Sequence, residues 1–63
     1  RLTKGQAERV EQVLLELLER GRTGKADLER VAAAIAADGL PAQGVSTLRT
    51  RLTRLARRQG QGQ

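Results

Sequence analysis

Cysteine, histidine and all three aromatic residues are missing from the sequence, and each absence removes a class of function. Without cysteine there are no disulfides and no thiolate metal ligands, and without histidine there is no imidazole ligand or proton shuttle. No metal site and no cofactor is expected. Without Trp, Tyr or Phe the chain lacks the stacking platforms that single-strand binders and many RNA modules set against unstacked bases. No apolar run approaches the roughly 18 residues a membrane span needs, and no apolar signal-peptide core stands near the start. The expected setting is therefore cytoplasmic, with no membrane partner and no small-molecule substrate. Acidic residues are missing from one part of the chain only: none follows Asp38.

That last gap organises the charge. The net charge is +5, from twelve basic and seven acidic residues. All seven acids (Glu8, Glu11, Glu16, Glu19, Asp27, Glu29, Asp38) are balanced by Arg1, Lys4, Arg9, Arg20, Arg22, Lys25 and Arg30. From Leu40 onward stand five arginines and no acid, so the whole excess belongs to one segment. Such a concentrated footprint points to a polyanionic partner more than a diffuse excess does. The chain has 63 residues, a size at which only about 60% of the unfolded surface is buried on folding. It opens on Arg1 rather than methionine, which suggests a piece trimmed from a longer protein.

Hydrophobic periodicity predicts three helices and no strands. Thr3 and Gln6 form an S/T-x-x-E/Q capping box that starts the first. Ala7, Val10, Val13, Leu14, Leu17 and Leu18 keep the 3-to-4-residue rhythm of one face, and Arg20 with Gly21 closes the helix. Leu15 widens that stripe at its edge, where it packs on a neighbouring element or contacts another subunit. A second helix, capped by Thr23 or Gly24, carries Leu28, Val31, Ala32 and Ile35 on one face, with thin alanines that let a neighbour approach closely. Gly39 and Pro41 stop it. Ser46 is the natural N-cap of a third helix, whose stripe is Val45, Leu48, Leu52, Leu55 and Ala56. The expected fold class is a compact all-α, three-helix, helix-turn-helix-like domain over residues 1–59. Its helices span about 3–20, 25–38 and 46–59, and residues 60–63 form a tail or linker.

The third helix carries the candidate function. At 100° per residue the apolar stripe leaves Thr47, Thr50, Arg51, Arg54, Arg57 and Arg58 on the opposite side, with Arg49 nearer the buried boundary. Guanidinium groups bind phosphates or form paired bonds to guanine edges, and threonine donates to phosphates or touches a thymine methyl. Ser46 and the first-turn amides add a helix N-terminus, which itself attracts phosphate. A solvated surface helix would mix charge signs to gain i, i+4 pairs; this one does not. The expected partner is double-stranded DNA. Helix two, a connection and a basic third helix resemble a helix-turn-helix, in which the last helix enters the major groove. The seven residues between Asp38 and Ser46 exceed the usual three-or-four-residue turn, and no wing hairpin is encoded after helix three.

The stretch from Leu2-Thr3 to Leu17-Leu18-Glu19-Arg20-Gly21-Arg22, a second helix, and Gly44-Val45-Ser46-Thr47-Leu48 opening a third resembles the N-terminal DNA-binding domain of KfrA-type plasmid proteins. The likeness spans most of the chain. It implies a helical head of a bacterial regulatory or plasmid-maintenance protein, nucleoid or plasmid associated, with DNA contacts at Ser46, Thr47 and the helix face that follows.

The rival expectation is a protein-interaction or oligomerisation module, with Val13, Leu14, Leu15, Leu17 and Leu18 as the seam of a homodimer. It is compatible with DNA binding. Catalysis is not expected, because nucleophile, imidazole and phosphate loop are all missing and Glu16 and Glu19 read as ordinary surface carboxylates. A membrane-surface role for helix three lacks the interfacial Trp or Phe that would anchor it.

Overall fold

The first helix is specified by its two ends. In the computed structural model, which describes residues 1–61, the Gln6 amide donates to Thr3 Oγ1 at 3.2 Å and the Thr3 amide donates to Gln6 Oε1 at 2.9 Å. This reciprocal capping box opens α1 (Lys4–Arg20). At the far end Gly21 turns left-handed at φ 69°, its amide donates to the Leu18 carbonyl, and the Arg22 amide donates to the Leu17 carbonyl. That paired closure satisfies carbonyls the helix would otherwise leave open.

Helix α2 (Lys25–Ala37) starts from Gly24, which supplies extended backbone but no side-chain cap. Asp27 in its first turn favours the positive helix end and also meets Arg22 at 3.5 Å. Its end repeats the device of α1. Gly39 adopts φ 82°, its amide donates to the Ala36 carbonyl, and the Leu40 amide reaches back to the Ile35 carbonyl. Leu40 is thereby folded onto the core. The chain then crosses residues 38–44 and enters α3 (Val45–Gln61).

Helix α3 differs from expectation at both ends. The Leu48 amide donates to the Gly44 carbonyl, so Gly44 holds the capping position and Ser46 lies inside the first turn instead of capping it. At the other end Gly60 and Gln61 belong to the helix, although a tail was expected from residue 60. Glycine weakens a helix, but unlike proline it removes no donor and blocks no carbonyl. The rest of the expected tail, Gly62 and Gln63, lies outside the described residues.

Eight side chains make the core: Val10 and Leu14 from α1, Leu28, Val31 and Ile35 from α2, and Leu48, Leu52 and Leu55 from α3. Helix α3 packs against both others, while α1 and α2 meet only lightly. Leu14, Leu28 and Leu48 are fully enclosed, each worth roughly 1.5–3 kcal/mol of apolar burial. No polar or charged residue among those described is buried. Val13, Leu17 and Leu18 pack against this cluster from its margin. Ala56, expected in the stripe, is instead exposed. It lies about 160° around α3 from Arg58, whose ion pair to α1 marks the flank that is covered. Among the described residues no helix is long and apolar enough to cross a membrane.

Candidate nucleic-acid interface

Five arginines of α3 divide into two sets with different surroundings. Arg49, Arg54 and Arg57 are exposed, as are Ser46, Thr47 and Thr50 between them, and none of those three arginines takes part in an ion pair among the described residues. Arg51 and Arg58 sit on the flank that faces α1, where Arg54 also borders the cleft and Arg58, though paired, is exposed. Arg51 is half-buried, with its Nε enclosed and without an acceptor among the described residues. Arg58 donates from Nη1 to Glu11 Oε1 of α1 at 3.2 Å. The boundary positions are therefore Arg51 and Arg58, not Arg49. Periodicity places Arg51 only about 60° from Leu48, and it is the docking of α1 that turns that angle into cover.

The hydroxyl groups are also committed more than expected. Thr50 Oγ1 donates to the Ser46 carbonyl at 3.0 Å, and Thr53 Oγ1 donates to the Arg49 carbonyl at 2.9 Å. With its proton committed to that carbonyl, the exposed Thr50 keeps an acceptor oxygen and a methyl group. That arrangement suits a base amino group or a thymine methyl better than it suits a phosphate, which needs a donor. The donors on this face that could meet a phosphate are the guanidinium groups.

Glu11 is the residue that sequence reasoning missed. With Leu14, Arg51, Arg54, Leu55 and Arg58 it lines a small cleft between α1 and α3. Its place on α1, one turn before Leu14 and two before Leu18, marks it as a boundary position. Which neighbouring helix it would face is not encoded in its own helix. The side chains of Arg58 and Glu11 are 66% and 45% exposed, so their ion pair is solvated and adds little to stability. A second exposed bridge, Arg9 to Asp38 at 2.6 Å, ties α1 to the end of α2.

Leu15 is half-buried and does not join the side chains packed on the core. Of the broad leucine surface expected to serve a homodimer, Leu14 is fully buried and Val13, Leu17 and Leu18 are taken up within the protomer. Among the described residues no large hydrophobic side chain is exposed, and no group of three or more His, Cys, Asp or Glu is placed to hold a metal ion. Comparison with protein-family models, with curated proteins and with solved structures finds no match to this chain.

Proposed function

We propose that this chain is a double-stranded DNA-binding module that docks through α3, as part of a bacterial regulatory or plasmid-maintenance protein of the kind its sequence resembles. One observation carries the reading: the entire excess of positive charge resides on a single helix, and Arg49, Arg54 and Arg57 of that helix are exposed and without ion-pair partners. Like charges at i, i+3 and i+4 repel one another in the free protein, and a polyanion relieves that repulsion. A helix of 17 residues is about 25 Å long, and it presents Arg49, Arg54 and Arg57 exposed with Thr47 and Thr50. Guanidinium groups then hold the backbone and Thr50 faces base edges.

The test is binding of a fluorescein-labelled random duplex followed by anisotropy. Replacing Arg49, Arg54 and Arg57 together with glutamine is expected to abolish measurable binding at moderate salt while leaving the circular-dichroism melt unchanged. Wild-type affinity in that triple variant would overturn the assignment. The oligomerisation reading keeps Leu15 and the partly exposed flanks of Val13, Leu17 and Leu18, whose other sides pack on the internal core.

A further inference from the structure

The cleft between α1 and α3 has an electrostatic imbalance that the fold itself does not resolve. Arg51, Arg54 and Arg58 follow at i, i+3 and i+7 along one ridge of α3, and all three line the cleft. The one acidic side chain facing them there is Glu11, which engages Arg58 alone. Among the described residues two of these guanidinium charges are left without a counter-charge, and the enclosed Arg51 Nε has no acceptor. A buried N–H without an acceptor is costly, and the planar guanidinium fork favours oxyanions, phosphate included, that accept two parallel hydrogen bonds.

We propose that this cleft is a phosphate-binding site in which Arg51, Arg54 and Arg58 hold the phosphate and Glu11 competes with it for Arg58. Taking that phosphate from a duplex backbone rests on the DNA reading; the site's chemistry alone would equally take free phosphate. Glu11 then acts as an internal brake. The incoming anion displaces its carboxylate from Arg58, and the three arginines on the ridge share the new charge. Leu14 and Leu55 form the apolar part of the cleft lining.

Two measurements test the proposal. The first follows arginine Nε–Hε signals by NMR during titration with inorganic phosphate, against sodium chloride of equal ionic strength, and then with a random duplex. The proposal predicts saturable, joint shifts of Arg51, Arg54 and Arg58, with Arg30 on α2 and the paired Arg9 unmoved. Shifts with both probes identify a backbone phosphate. Shifts with inorganic phosphate alone keep the site and remove the duplex as its source. Shifts of Arg49 and Arg57 with duplex, while Arg51 and Arg58 stay still with both probes, leave the DNA reading standing and overturn this one. The second measurement compares Glu11→Gln with Glu16→Gln, an equal change of charge about 140° around α1. Because an exposed ion pair is worth roughly 0.2–1 kcal/mol, Glu11→Gln should tighten phosphate or duplex binding about 1.4- to 5-fold beyond Glu16→Gln. Equal effects of the two variants would mean that Glu11 competes for nothing.

Discussion

Arg51 and Arg57 carry the same group on the same helix and are expected to answer mutation differently. Arg57 is exposed and lacks an ion-pair partner, so Arg57→Ala should leave the thermal melt within about 0.5 kcal/mol of wild type. Its effect belongs to binding: loss of one phosphate contact makes the log-log salt slope shallower by about 0.9. Arg51→Ala removes a half-buried stem that lines the cleft beside Leu14 and Leu55, and a stem of that kind packs as well as carries charge. It should lower both stability and affinity. Parallel melts and anisotropy titrations separate the two cases, and a melt unchanged in Arg51→Ala would contradict the cover assigned to that side chain. Leu14 stands at the other extreme. It is fully enclosed, and Leu14→Ala should cost about 2–5 kcal/mol, a large share of the roughly 3–9 kcal/mol that 0.05–0.15 kcal/mol per residue gives a domain of this length. A guanidinium chloride unfolding curve reads that loss directly.

At the scale of the helices, the ends are set by local chemistry. Gly21 and Gly39 occupy left-handed backbone at φ 69° and 82°, and an alanine at either position should cost about 1–2 kcal/mol. Gly5 is the informative contrast, since it lies inside α1 with open space where a Cβ would stand. Gly5→Ala should stabilise by up to about 1 kcal/mol. Melts of the three variants should therefore move in opposite directions, and destabilisation by Gly5→Ala would contradict the helix start. These features were legible in the sequence because each depends on neighbours within five residues: the Thr3 and Gln6 box, the Gly21 and Gly39 closures, the leucine stripes. The start of α3 was not, because Gly44 and Ser46 are both competent caps and the choice falls to how the 38–44 connection meets the core. Nor was the division of the α3 arginines. A helical wheel places Arg51 and Arg58 on one flank and Ala56 on the other, but only the position of α1, and of Glu11 upon it, decides which flank is covered.

For the molecule as a whole, three helices around eight apolar side chains leave no large hydrophobic surface among the described residues, and they leave a charge that is balanced everywhere except α3. That segregation is what the DNA reading rests on. On that reading three exposed, unpaired arginines, together with the half-buried Arg51 and the paired Arg58 at the α1 flank, would neutralise three to five phosphates. Counterion release then sets the response to salt, with a slope of about −0.9 per phosphate on duplex DNA. Titrating a random duplex at increasing sodium chloride is the most direct measurement: the predicted plot of log association constant against log salt is a line of slope about −3 to −4.5. No binding at low salt, or an affinity that does not change with salt, would contradict the claim that α3 is a DNA-binding surface.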